Sequence, residues 1–257
     1  MNVKNLSFSS RAITDNPYSL AYELEDYGFK GWELVQEGNQ YLNKKNVEYV
    51  KNIYETTNLE ISLHLPFSDM NLASINQEIR KVVIRQIKHC LRLASPFVEL
   101  AVLHPGYLSP YGSQVPELAE SLNIESIQTI CDYAAKYDIL IALENMPNIP
   151  KIFGTKPTEL LNIVELVDRE NLGLTFDAGH ANTFNAINEF LIAYKNKISH
   201  VHIHDNFGKK DLHMQIGTGT IDWVELMNGL SNYKGLFVIE ANTLEDGIKG
   251  VEFLNGI

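Results

Sequence analysis

The chain has 257 residues, 45% of them apolar, and its 21 basic and 32 acidic residues give a formal net charge of -11. That length fits one large domain or two small ones, and the apolar share is ordinary for a globular core. The charge argues against a generally adhesive nucleic-acid surface, although bound cations are not in the count and a metal site can be locally positive. No run approaches the ~20 apolar residues of a membrane helix. The opening MNVKNLSFSS lacks the apolar core of a signal peptide. Cys90 and Cys131 both fall in helix-like stretches, so neither a disulfide framework nor a Cys-type zinc site is expected. The expected compartment is the cytoplasm, with no membrane partner.

Short apolar, β-branched runs alternate with longer stretches of helical period. Strands are predicted to begin near Leu6, Trp32, Ile61, Phe97, Ile139, Leu172, Ile198 and Leu236. Between them, INQEIRKVVIRQIKHCLRLA carries Ile75, Ile79, Val82, Val83, Ile87, Cys90, Leu91 and Leu93 on one broad helical face. ESIQTICDYAAKY, PTELLNIVELVD and IDWVELMNGL read as further helices. Thr158 after Pro157 marks one helix entrance, and Asp222 is placed to cap another. Eight strand–helix units in about 250 residues is the size of a (β/α)8 barrel. The chain is therefore predicted as an α/β protein, a single (β/α)8 TIM barrel, one domain over residues 1–257. An open doubly wound sheet is the weaker alternative, because no G-x-G-x-x-G follows the first strand.

Acidic residues and histidines recur at the carboxyl ends of these runs. His64 closes ISLHLPF, His104 closes VELAVLHPG and Glu144 closes ILIALENMP. Asp177 closes LGLTFDAGH, with His180 three residues on. His202 lies in ISHVHIHDN, Asp211 and His213 follow in DLHM, and Glu240 closes LFVIEAN. Strand residues alternate faces, so Val201 and Ile203 are predicted to face the helices while His200, His202 and His204 face the barrel axis. Any one of these histidines alone is more often a hydrogen-bonded core or surface residue. Nine imidazoles and carboxylates at one end of successive units point to a divalent-metal site at the barrel mouth.

The segments HLPFSDMNLAS, VLHPG, ALEN, FDAGHAN, HIHDN, DLHMQIGTGTID and IEAN resemble the xylose isomerase-like TIM-barrel superfamily. That superfamily includes endonuclease IV (AP endonuclease family 2) and sugar-phosphate isomerases and epimerases. The resemblance runs from about Ile61 to Asn242. It implies that Glu144, Asp177, His202 and Glu240 match the one-metal set of the isomerases, whose paired glutamates move the substrate proton. It also implies that His64, His104, His180, Asp211 and His213 match the additional ligands of the three-zinc endonuclease IV.

Two chemistries follow. A multinuclear metallohydrolase resembling endonuclease IV would hold up to three zinc ions and attack a phosphodiester or sugar-phosphate ester with activated water. Glu144 would bridge two ions. The five added ligand-type residues favour this as the leading expectation. The alternative is a metal-dependent isomerase or epimerase in which Glu144 or Glu240 removes a carbon-bound proton. It is favoured by what the nuclease pattern lacks here. Glu37 stands where a phosphate-contacting cation would help, no tyrosine-containing wedge follows His64, and His204 replaces an asparagine. Manganese or iron would also suit the carboxylates. The expected partner is a small phosphorylated sugar or DNA containing a damaged site. A purely metal-stabilised binding module is the least favoured reading, since this barrel face is so generally catalytic.

Other features carry weaker expectations. Tyr107 and Tyr111 are candidates for a substrate wall, and Phe67 either stacks on a base or lines the pocket. Gly217 and Gly219 form a tight turn that offers a weak phosphate nest. Lys209 and Lys210 are expected in solvent. His200 and His204 are expected to support the ligands by hydrogen bonding, and Asn145 and Asp205 to orient them. His89, on a helix, is assigned no chemistry.

Overall fold

The computed structural model describes residues 5–10 and 16–257. Strands and helices follow in chain order as β1 (Leu6–Ser10), α1 (Pro17–Glu23), β2 (Gly31–Val35), α2 (Val47–Thr56), β3 (Glu60–His64) and α3 (Gln77–Ala94). They continue as β4 (Val98–Leu103), α4 (Pro116–Ala134), β5 (Leu140–Glu144), α5 (Pro157–Val167), β6 (Leu172–Asp177), α6 (Ala178–Asn182) and α7 (Ile187–Tyr194). The chain closes with β7 (Ile198–Ile203), α8 (Trp223–Gly229), β8 (Phe237–Ala241) and α9 (Leu244–Gly256). All neighbouring strands are parallel, and β8 pairs with β1, so the sheet is a closed eight-stranded barrel. This is the predicted (β/α)8 TIM barrel. No helix among the described residues is long and apolar enough to cross a membrane.

The two faces of each strand divide as alternation requires. Trp32 of β2 points outward and meets Tyr18 of α1 edge to face at 6.2 Å between ring centroids. Phe176 of β6 packs on Phe190 and Tyr194 of α7. Such outward residues form the continuous layer between barrel and helices. The strand boundaries fall within a residue of the predicted starts.

Helix entrances use side-chain caps that satisfy otherwise unpaired amides. Asn76 accepts from the amides of Glu78 and Ile79, and Asp222 accepts from Glu225. On α3 the predicted apolar face is correct for Val83, Ile87, Cys90, Leu91 and Leu93, which are buried. Ile79 departs from it at 51% exposed, in the first turn, before the helix settles onto the barrel. Both cysteines are free and buried.

Candidate metal centre at the barrel mouth

Each strand that was expected to deliver a donor does so at its carboxyl end. His64 and Glu144 are the last residues of β3 and β5, Asp177 ends β6, and His104 follows β4. Glu240 lies one residue before the end of β8, His202 one before the end of β7. His180, Asp211 and His213 come from α6 and the loop after β7. These donors fall into groups in which one atom of each residue lies within 4.8 Å of the others. The groups include His64–His104–Glu144, His64–His202–Glu240, Glu144–Asp177–His202–Glu240, and His180–His204–Asp211–His213. All nine predicted residues therefore meet at one end of the barrel, around a cavity of about 560 Å³.

Glu144 is the hinge of the arrangement. Its Oε1 lies 2.8 Å from His202 Nδ1, and its Oε2 lies 2.8 Å from His104 Nε2 and 3.4 Å from His64 Nε2. Asp177 acts twice. Its Oδ1 caps α6 by accepting from the His180 amide at 2.6 Å, which fixes His180 one turn on, while Oδ2 stays within 3.9 Å of His202 Nδ1.

Several rings are aimed by their outer nitrogen. The Leu65 carbonyl accepts from His64 Nδ1 at 3.0 Å, and the Asn145 carbonyl accepts from His180 Nδ1 at 2.7 Å. In both, the hydrogen is thereby placed on Nδ1 and Nε2 faces the acids, the arrangement a ligating imidazole needs.

The electrostatics follow from burial against many opposite charges. Burial alone would raise the Glu144 pKa, but His202 and His104 hold it well below the carboxylate range. Asp177 behaves likewise, lowered by His180 and His204 against its burial. Burial opposes the charge on His202, yet Glu240, Glu33 and Glu144 raise its pKa well above the usual value. For His204, Asp177 and Asp211 outweigh burial and raise it to about 9. His104 goes the other way, lowered because burial outweighs Glu144. Charged imidazoles thus balance the carboxylates here, a role a divalent cation fills as well.

The donor set fits such a cation. Asp177 Oδ2, Asp211 Oδ1, His213 Nδ1 and both ring nitrogens of His204 are buried without an aligned hydrogen bond among the described residues. Leaving such atoms unpaired costs about 1–3 kcal/mol each, and their convergence is what metal coordination relieves.

Two residues enlarge the predicted set. His204, expected only as a supporting donor, joins His180, Asp211 and His213 directly. Its ring rests on Gly179, where a Cβ would stand 2.0 Å from His204 Cε1. Glu33 of β2 is absent from the predicted set; it is fully buried and contacts His200 and His202. Strand alternation held the signal, because Glu33 lies between the outward Trp32 and Leu34 and so must face the axis.

Other expectations divide. Tyr107 lines the cavity, with Phe67, Met70, Met146, Ile149 and Ile152, whereas Tyr111 does not and is 58% exposed. Phe67 packs against His64 and His104 at ring-centroid distances of 5.1 and 4.9 Å. Glu37 caps the loop that carries Phe67, accepting from the amides of Phe67 and Ser68. Lys209 and Lys210 are exposed. The glycine turn is not an open phosphate nest. Asp205 fills it, accepting from Gly217 N and Trp223 Nε1 at 3.0 Å each, and a Cβ on Gly219 would stand 2.1 Å from Asp205 Oδ1. The Asp205 carboxylate therefore braces the loop rather than orienting a ligand side chain.

Known proteins share this architecture. An uncharacterized protein of Methanocaldococcus jannaschii is 37% identical over 262 residues, covering 98% of this chain and 89% of its own. The crystal structure of a D-tagatose 3-epimerase-like protein superposes with a TM-score of 0.92 at 36% identity, covering 98% of this chain and 96% of that one. A protein of Acholeplasma laidlawii named "Probable endonuclease 4" is 27% identical over 183 residues, or 65% of this chain and 61% of its own. With residues 21–256 matching the family described as xylose isomerase-like TIM barrel, the chain belongs to that family.

Proposed function

We propose that the protein is a divalent-metal-dependent epimerase or isomerase of a sugar or sugar phosphate. The observation that carries this is the convergence of Glu144 and Glu240 with Asp177 and His202 in one four-donor group that opens on the cavity. The 36% identity to a D-tagatose 3-epimerase-like protein along nearly the whole chain supports it further. The likeness to the endonuclease 4 relative is lower and shorter.

A cation held by this group would polarise neighbouring carbonyl and hydroxyl oxygens and so acidify the adjacent C–H bond. Glu144 and Glu240 come from β5 and β8 and approach from different sides. One carboxylate takes the carbon-bound proton and the other returns a proton, to the opposite face in epimerisation. Phe67 and the other apolar lining residues would limit the water beside the reacting carbon.

The test is exchange of the proton next to the ketose carbonyl with deuterated solvent, in protein loaded with Mn2+ or Zn2+. Exchange and epimer formation in wild type, lost in Glu144→Gln and Glu240→Gln, is the expected result. Fully metallated protein that exchanges no proton in any ketose or ketose phosphate tried, and instead cleaves DNA at an abasic site, overturns it.

That second outcome has its own support. The groups His64–His104–Glu144 and His180–His204–Asp211–His213 exceed what one ion requires, and phosphoester hydrolysis draws on several clustered cations. Metal content per chain discriminates: near three ions favours hydrolysis, and one tightly held ion favours the epimerase.

A further inference from the structure

His202 is aimed differently from His64 and His180. Its Nδ1 faces the acids, at 2.8 Å from Glu144 Oε1, 3.6 Å from Glu240 Oε1 and 3.9 Å from Asp177 Oδ2. Its outer nitrogen therefore needs a partner deeper in the barrel, and that partner is Glu33. Strands β2 and β7 are not neighbours in the closed sheet, so these side chains meet only across the axis. His202 Nε2 straddles the carboxylate, 3.2 Å from Oε1 and 3.4 Å from Oε2. Glu33 is itself held in place. Ser62, its register partner on β3, donates its hydroxyl to Oε2 at 3.0 Å, and His200 Nε2 lies 2.8 Å from the same oxygen.

We propose that Glu33 is a positioning residue that fixes the His202 ring and holds a hydrogen on its Nε2, so that Nδ1 is the nitrogen offered to a cation among Glu144, Asp177 and Glu240. A carboxylate accepts hydrogen bonds and donates none, so in the metal-free protein Nε2 facing Glu33 and Nδ1 facing Glu144 both carry hydrogen. A ligating imidazole is neutral and keeps one hydrogen, so a cation taken at Nδ1 would displace the hydrogen there and leave the one on Nε2 with Glu33. Without Glu33 the remaining hydrogen would have no carboxylate at Nε2, while Glu144 would still accept it at Nδ1, and the cation would lose that donor. The trio Glu33–His200–His202 is compact enough to suggest an ion site of its own. Glu33 Oε2, however, already accepts from Ser62 and lies 2.8 and 3.4 Å from His200 Nε2 and His202 Nε2, so that oxygen is taken up as an acceptor and only Oε1 is left without an aligned hydrogen bond.

This inference rests on the reading that Glu144, Asp177, His202 and Glu240 take a divalent cation. The experiment compares full-length wild type with Glu33→Gln, using chelator competition for Zn2+ and nitrogen NMR of histidine-labelled protein. In wild type, the expected spectrum shows His202 protonated at Nε2 and metal-bound at Nδ1. In Glu33→Gln, Zn2+ affinity falls by about 10- to 100-fold, the usual effect of removing a ligand's supporting partner, and the His202 signals change. Unchanged affinity, or lost affinity with unchanged His202 signals, overturns the proposal. Should Glu33→Gln not fold, Glu33→Asp withdraws the same charge by one methylene, and the same two readouts support or overturn the proposal in the same way. Wild type that takes up no Zn2+ overturns the metal reading itself, whereas wild-type uptake with an unaffected variant overturns the role of Glu33 alone.

Discussion

Asn145 grips Asp177 by both backbone polar groups, its Oδ1 accepting from the Asp177 amide at 2.8 Å and its Nδ2 donating to the Asp177 carbonyl at 2.9 Å. Its own carbonyl accepts from His180 Nδ1. Asn145 thus sets the end of β6 and the start of α6 through its side chain, and the aim of an imidazole through its carbonyl. Asn145→Ala should destabilise the protein by about 2 kcal/mol, since two buried backbone groups lose their partners. Chemical denaturation measures the loss, and chelator competition should show weaker metal retention in the folded variant.

Glu144→Gln should lower turnover by about 100-fold or more, the range associated with a positioned acid or base. Steady-state kinetics on whichever ketose exchanges its proton, with isothermal binding of the same ketose, separates the two effects. Binding should persist while turnover disappears; unchanged turnover removes Glu144 from the chemistry.

Asp205→Ala should cost about 3 kcal/mol, because the carboxylate braces the Gly217 amide and the Trp223 indole inside the turn that follows His213. Limited proteolysis should then cut within residues 206–220 faster than in wild type. Gly219→Ala should mimic it, since the added methyl collides with the same carboxylate.

The metal-free protein should lose stability as pH rises. The folded pKa of His204 is raised to about 9, above the unfolded value near 6.5. The stability from its charged form is therefore complete below about 6.5 and is lost as pH climbs through 9. His180 and His202, also raised, add in the same direction. At the acidic end the sign reverses. Glu144 and Asp177 are lowered, so their contribution is complete above the ordinary carboxylate range and is lost as pH falls below it. Thermal unfolding between pH 6 and 9 checks the first limb. Added Zn2+ should remove that decline, because it binds the deprotonated imidazoles.

The barrel was legible because its period is simple. Eight apolar runs, six of them with acids or histidines at their carboxyl ends, dictate both strand direction and a common face, and the nine donors arrive there. What escaped depended on contacts between distant strands. Glu33 sits mid-strand, not at a strand end, and its value lies in β7 on the far side of the axis. His204 was underrated because its place depends on Gly179 leaving room for the ring. The glycine turn looked like a receptacle for a dissolved anion since sequence alone does not reveal that Asp205 reaches into it. Tyr111 shares a segment with Tyr107, yet the short 3-10 turn at Gly112–Gln114 follows it directly and it stands outside the cavity.

The two oxygens of Glu144 look in different directions, one toward His202 and the other toward His64 and His104. Ions settling on its two sides would be linked through that single carboxylate. Whatever factor the first imposes on the affinity of the second, the second must impose on the first. If more than one ion is taken up, the uptake curves should therefore depart from independent, hyperbolic saturation, and replacing Glu144 should uncouple the two halves of the crater.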